Sequence, residues 1–370
     1  MGARPPITFF ESSENLRSAV RSRTGRSLSS GAARDATICL QQGRLFFEAA
    51  AESGLEIRPL QLFYGSLAFA KAVTLVTKNS RLATLPRSHG LRDITAPAAR
   101  LTDLSLQIRG IGTFQDFNDV VAPENRVRTH DASTRPVSIS LPAANSNLLE
   151  GATLTLKGIL GRLSLVRDLF VHTFKEPPLS EYVALAEHPQ KFWYMQAWHS
   201  EPVGTHDEAC AAVKSWRDRF PVLQNWRVAR VSNAWGRTVI EFRNAECPLT
   251  PLGEQLKMTQ DGTFESILSP GQTYPPQDLL TGGSLSDNGL CSPVNGVYVA
   301  QPALVYLGIF LLSSLVRYRP EIWIHAMTRR SSSERPADDQ AISLLENFLI
   351  VVPGQMEGVL LDYLFPNELY

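Results

Sequence analysis

Cysteine is scarce: the 370 residues hold four, Cys39, Cys210, Cys247 and Cys291, with no CxxC and no close pair. That spacing fits neither a disulfide framework nor a zinc module, so a reducing compartment and no bound metal are expected. Net charge is lacking too, because 36 basic and 36 acidic residues cancel. No global field therefore draws the chain to nucleic acid or to an anionic membrane. Nucleotide fingerprints are missing as well. There is no GxGxxG or GxxxxGK[ST], and Gly158-Ile-Leu-Gly161 lacks the residues that would complete one. No cofactor is expected. A secretory leader is not expected either, since apolar Ile7–Phe10 is short and Glu11 and Glu14 follow it.

What is present is ordinary globular composition, 44% hydrophobic and 19% charged, in a chain long enough for one large or two moderate domains. The charge is unevenly placed. Arg17, Arg21, Arg23, Arg26 and Arg34 cluster with no acid among them, while Asp338, Asp339, Glu346, Glu357, Asp362 and Glu368 lie where the last 35 residues hold no Lys or Arg. Two solvated surfaces account for this simply. The alternative is that the basic arm docks on the acidic end, within or between chains, or on RNA.

Two long apolar stretches dominate the pattern. Arg58–Val76 carries one charge beyond its first residue, Lys71, and Pro59 suits a first helical turn. Val297–Val316 runs twenty residues without a charge, which reaches membrane-spanning length. Gln301, Pro302, Ser313 and Ser314 dilute it, however, and the apolar pattern resumes at Ile322 after Arg317, Arg319 and Glu321. Both stretches are read as buried core helices, and the chain as soluble, cytoplasmic and without a membrane partner.

The remaining elements follow from periodicity. Residues 1–34 read as a flexible or docking arm. A helix is expected over Ala36–Ser53, with Gln41, Arg44, Glu48 and Glu52 outward and Ile38, Leu45, Phe46 and Ala49 on another face. Period-two alternation marks strands at 104–108, 137–141 and 152–156, and Leu156–His172 is helical with a break near Ser164. Phe192–Trp198 reads as a central strand, Thr205–Phe220 as a helix, and 226–231 with 238–242 as a hairpin. Residues 244–296 read as a long loop region. The C-terminal part is helical over Pro302–Arg317, Pro320–Thr328, Pro336–Val352 and Gly354–Phe365. The expected organisation is a basic arm (1–34), a helical hairpin with short strands (35–180), a β-containing middle (181–296) and a C-terminal helical region (297–370) packing on the N-terminal helices.

Chemical motifs are weak. His199, Glu201, His206, Asp207 and Glu208 suggest metal ligands, but the spacing is not HExxH, and Thr205-His-Asp-Glu208 is a helix capping box. No local signature supports a Cys-His nucleophile pair. An RNA-cleaving enzyme of the HEPN type needs an Arg followed after four to six residues by His. Arg167–His172 and Arg319–His325 have that spacing. The second lies on a helical segment and supplies the candidate catalytic residues Arg319 and His325, beside the plainer reading of a structural histidine near Trp323. Arg58 and Arg317 flank the two apolar helices and are candidate ligand-binding residues. With Arg319, they are expected either to bridge the helical units or to form an anion pocket.

Phe46-Phe47-Glu48-Ala49-Ala50 followed by Arg58-Pro-Leu-Gln-Leu-Phe-Tyr-Gly65 resembles the opening helical pair of the YaaC-like bacterial proteins. His89-Gly90-Leu91, the elements around Leu154–Phe170, and Leu311-Leu-Ser-Ser-Leu-Val-Arg-Tyr-Arg-Pro-Glu-Ile-Trp323 fit the same family, while residues 200–295 hardly do. The resemblance implies a bacterial cytosolic protein and brings no catalytic residues with it. The fold expected is α+β, predominantly helical, with a core built from both ends of the chain and a β-containing middle. The first function reading is a non-enzymatic interaction or accessory protein, acting as a homo-oligomer or beside a protein partner. The others are the HEPN-like enzyme and a nucleotide- or anion-sensing module.

Overall fold

The computed structural model describes residues 5–97, 100–122, 126–130, 133, 136–140, 146–187, 193–243, 256–259, 263–266, 285–286, 289–328 and 336–365. The fold is α+β and predominantly helical. Among the described residues the helices are α1 (Ser13–Thr24), α2 (Ser30–Glu52), α3 (Arg58–Lys78), α4 (Thr113–Val121), α5 (Leu156–Leu160), α6 (Arg167–Phe174), α7 (His206–Arg219), α8 (Gln301–Tyr318), α9 (Pro320–Thr328) and α10 (Pro336–Leu364). The chain divides into two compact units. One comprises Met1–Glu124, Asn145–Pro178 and Val299–Tyr370, the other Asn125–Ala144 and Leu179–Tyr298.

The first unit is built on the α2–α3 hairpin. Ser29 caps α2 by accepting a hydrogen bond from the Ala32 N–H, and Pro59 sits in the first turn of α3, where a missing N–H costs nothing. The two helices cross at a pair of glycines. A Cβ on Gly43 would lie 2.6 Å from the Phe69 ring and 3.3 Å from the Gly65 carbonyl oxygen. Phe47 and Phe69 each lie over the glycine of the opposite helix and stack on one another at 5.2 Å and 8°. The absence of two side chains thus lets the backbones approach closely enough for two rings to fill the crossing.

α3, α8 and the Ala341–Leu364 part of α10 are each long and apolar enough to cross a membrane, and within the structure 67%, 78% and 39% respectively of an apolar 18-residue stretch of each is buried. Neighbouring elements therefore shield α3 and α8, while α10 lies more open. α8 is apolar all round, as a helix enclosed by others must be. Its buried entry is satisfied: the Gln301 side chain accepts from the Ser164 N–H at 2.9 Å and donates to the Arg162 carbonyl at 2.8 Å. Strands Leu91–Asp93, Ser105–Ile108 and Thr153–Thr155 form a small antiparallel sheet in this unit.

Three expectations for this unit change. Where a flexible arm was expected, residues 5–34 form a 3-10 turn, α1 and the start of α2. Buried Phe10, Leu16, Val20 and Leu28 anchor them, and Arg44 on α2 pairs with Glu11 at 2.6 Å. The apolar anchors are spaced too widely to read as a periodic face. On α2, Ile38 and Leu45 are exposed, and the inward face is Ala36, Leu40, Gly43, Phe47 and Ala50. Small residues make that seam, because close helix approach selects volume over hydrophobicity. Finally, α10 runs as one helix through Pro353, where two were expected. Leu349, Val352 and Met356 are buried around the proline, and their packing offsets the one backbone hydrogen bond it removes.

In the second unit the strands lie in the spatial order Leu256–Met258, Phe264–Ser266, Arg227–Ala234, Arg237–Arg243, Trp193–His199, Val183–Glu187, Arg126–His130 and Pro136–Ser140. Pairing is antiparallel except between Arg126–His130 and Val183–Glu187. α7 starts in the expected capping box, with the Thr205 hydroxyl accepting from the Glu208 N–H and the Glu208 carboxylate accepting from the Thr205 N–H. Its Trp216 packs with Met195, Phe220, Trp226 and Phe242 in the core. Arg219, over the adjacent Trp216 and Phe220 rings at 5.0 and 5.1 Å, pairs with buried Glu181 at 2.8 Å. Much of the expected 244–296 loop region lies outside the described residues.

Candidate functional site

The three arginines flanking the apolar helices have separate duties. Arg58 donates from Nε to the Ala50 carbonyl (3.1 Å) and from Nη2 to the Ser53 carbonyl (2.8 Å), so it closes the C-terminus of α2 from the first turn of α3. Arg319 donates to the carbonyls of Thr95 (2.6 Å) and Ala96 (3.0 Å), tying the α8–α9 junction to the loop after strand Leu91–Asp93. Among the described residues Arg317 bonds only within its own helix, to the Ser313 carbonyl at 3.2 Å and the Ser313 hydroxyl at 3.4 Å. Its guanidinium lies 5.6 Å from the Phe63 ring centre and 5.0 Å from that of Tyr318.

The same Phe63 ring meets His89 edge-on, with centres 5.2 Å apart, and His89 also faces Phe310 at 6.1 Å. Phe63 lies on α3, Phe310 and Arg317 on α8, and His89 on the loop before strand Leu91–Asp93. Backbone bonds fix that loop. The Thr113 and Phe114 N–H groups, in the first turn of α4, donate to the Ser88 and His89 carbonyls at 3.0 Å each. The approach requires glycine: a Cβ on Gly112 would collide with the Gly90 backbone, and Gly90 itself has φ +75°. His89 is therefore held rigidly at the seam of three helices.

The electrostatics around His89 are one-sided. Burial holds its imidazole below the usual histidine range, and Arg317 and then Lys71 push in the same direction. Lys71, the lone charge within the apolar run of α3, also acts on the buried Cys39 thiol, whose pKa burial raises to about 11. Among the described residues, neither Lys71 nor Arg317 pairs with a carboxylate, and the His89 imidazole makes no hydrogen bond. The nearby Asp93 is already committed. Burial alone would raise its carboxyl, but hydrogen bonds from Ser314 (2.5 Å) and Thr95 (2.8 Å), with Arg319 beside it, hold it low. Two cations thus act on His89 beside buried aromatic rings, and neither pairs with a carboxylate among the described residues. An anion at this surface would be favoured by both cations and by a protonated His89.

The other sequence candidates are not gathered there. Arg319 and His325 lie on successive turns around α9, with the Arg319 guanidinium engaged by two carbonyls and the His325 side chain outside the described residues. His172 is exposed and Arg167 bonds Asp168. In the second unit, Cys210 Sγ lies 3.7 Å from His206 Nε2, but this is an i,i+4 neighbour pair on the surface of α7. Among the described residues no cluster of His, Cys, Asp and Glu could hold a metal. Sequence reading missed His89 and Lys71 as site residues. The usable signals were a single charge in an otherwise apolar helix and a His-Gly pair between elements.

A family model described as YaaC-like Protein matches residues 8–364, nearly the whole chain. No curated protein and no solved structure matches it.

Proposed function

The chain belongs to the YaaC-like protein family, and we propose that it works as a non-enzymatic module that binds a small phosphate-bearing anion. The observation that carries this reading is the convergence of His89 and Arg317 on Phe63, with Lys71 in electrostatic range and no carboxylate paired to either cation among the described residues. A guanidinium supplies a fork of donors to phosphate oxygens, an ammonium supplies a point charge, and an imidazole supplies a proton when the anion favours it. The rings exclude water from one side, which strengthens each of those bonds. Membership of the family leaves the activity open; the site chemistry supplies the ligand class.

The probe is inorganic pyrophosphate, added to the full chain in a thermal-unfolding titration. Saturable stabilisation is expected, following RT ln(1 + [L]/Kd), and it should weaken as salt rises because part of the site is exposed. Lys71→Gln should shift the titration to higher pyrophosphate concentration. An unfolding midpoint that stays flat up to millimolar pyrophosphate would remove the proposal.

A further inference from the structure

The buried side of α1 is Leu16 and Val20, and the flank beside it carries two small polar residues, Ser18 and Ser22, one turn apart. Short side chains there leave room where α1 faces the end of α10. The space is a cleft of about 400 Å³, a size that suits a small molecule. Phe9, Phe10 and Phe365 line it together with those serines and Arg23. Phe10 is fully buried, meets Phe9 edge-on at 5.3 Å and lies 6.0 Å from Phe365. Phe9 is 45% exposed, so solvent reaches the rings. Asn15 steadies the turn that carries it by donating to the Phe9 carbonyl at 3.0 Å.

Arg23 sets the charge of the cleft. Its Nε donates to the Tyr363 carbonyl at 3.2 Å, which pins the guanidinium between α1 and α10. Among the described residues that is its only hydrogen bond, and it pairs with no carboxylate. Joining the two helices therefore uses one guanidinium donor and leaves those on both Nη atoms. Among the described residues the lining holds no Asp or Glu. One cation thus shares a solvent-reached cleft with three aromatic rings and two hydroxyls.

We infer that this cleft binds a small organic monocarboxylate with an aromatic body. The guanidinium fork and the serine hydroxyls take the carboxylate, and the phenylalanine rings take the apolar body. A single cation balances a single negative charge, which favours a monocarboxylate over a phosphate. None of His89, Lys71 and Arg317 lines the cleft, so the inference goes beyond the pyrophosphate reading and stands or falls without it.

Isothermal titration of the full chain with 3-phenylpropionate tests it, beside 3-phenylpropionamide, which keeps the shape without the charge. Saturable one-to-one binding of the acid is expected at millimolar concentration or below, about 10-fold tighter than the amide. Arg23→Gln should weaken the acid by about 10-fold as well. Ser18→Leu fills the cleft from an exposed position on α1 where leucine is a good helix former, so it should fold normally and abolish binding. Arg317→Gln should leave this binding unchanged. The inference is overturned if the acid fails to bind the wild-type chain, binds no tighter than the amide, or binds Ser18→Leu undiminished.

Discussion

Gly43→Ala is expected to destabilise the protein by about 2 kcal/mol, lowering the thermal midpoint by about 4–8 °C. Alanine favours the helix by up to about 1 kcal/mol over glycine, so a gain would be expected if propensity alone counted. Sterics reverse the sign. The new Cβ would lie 2.6 and 2.7 Å from two carbons of the Phe69 ring and 3.3 Å from the Gly65 carbonyl oxygen. Phe69 is fully buried and stacked on Phe47, so its ring has nowhere to go without parting α2 from α3. The control is Gly354→Ala on α10, where a Cβ meets nothing within 4 Å and a small stabilisation is expected. Equal effects from the two substitutions, read by thermal unfolding, would show that the crossing is not close-packed.

Arg317→Gln is expected to weaken pyrophosphate binding about 30-fold, the equivalent of about 2 kcal/mol for charge-assisted hydrogen bonds. The glutamine keeps much of the stem that packs near Phe63 but loses the charge and the fork. Stability without ligand should change little. Removing the cation–π interaction with Phe63 costs only on the order of 0.5–1 kcal/mol. Arg317→Lys should fall between wild type and Arg317→Gln, since a point charge remains without bidentate geometry. Isothermal titration with pyrophosphate separates these outcomes. Unchanged affinity in Arg317→Gln would move the site elsewhere.

Much of the fold was legible in the sequence because period and length are local properties. The apolar run of α3 and that of α8 read as buried helices, and both are mostly enclosed. Strands Ser105–Ile108, Pro136–Ser140 and Thr153–Thr155 fall where alternation placed them, and Trp193–His199 and Arg237–Arg243 fall at the expected central strand and hairpin. The Thr205–Glu208 capping box was equally local. What failed depended on partners distant in sequence. The inward face of α2 follows Gly43 and Ala36 because α3 comes close, and no scale of hydrophobicity ranks glycine as core. Residues 5–34 are ordered by a few anchors and by Glu11 meeting Arg44, which lies 33 positions away. Pro353 within α10 is tolerated because its neighbours are buried.

The site was legible only in part, for the same reason. Arg58, Arg317 and Arg319 stood out as charges beside apolar helices, but their three sets of partners could not be told apart. Arg58 bonds carbonyls 8 and 5 residues back, and Arg319 bonds carbonyls more than 220 residues back. His89 carried only the weak local signal of a His-Gly pair between elements. Its importance comes from Phe63, Phe310, Arg317 and Lys71, which the fold brings to it from two other helices.

His89 also gives the site a definite pH dependence. Its pKa in the folded chain is depressed relative to the unfolded one, so the unfolded chain binds the proton more readily. Stability from this group is complete above the ordinary histidine pKa of about 6.5 and falls as pH drops through it. A bound anion reverses the bias, because imidazolium then gains a counter-charge. Pyrophosphate should therefore bind more tightly as pH falls, with uptake of a proton. The most direct measurement is an NMR titration of the His89 imidazole nitrogens against pH, with and without pyrophosphate. The account predicts a free pKa below the ordinary value, raised on adding pyrophosphate and raised also by Arg317→Gln alone. An ordinary pKa that pyrophosphate leaves unmoved would contradict an anion site at His89, Lys71 and Arg317.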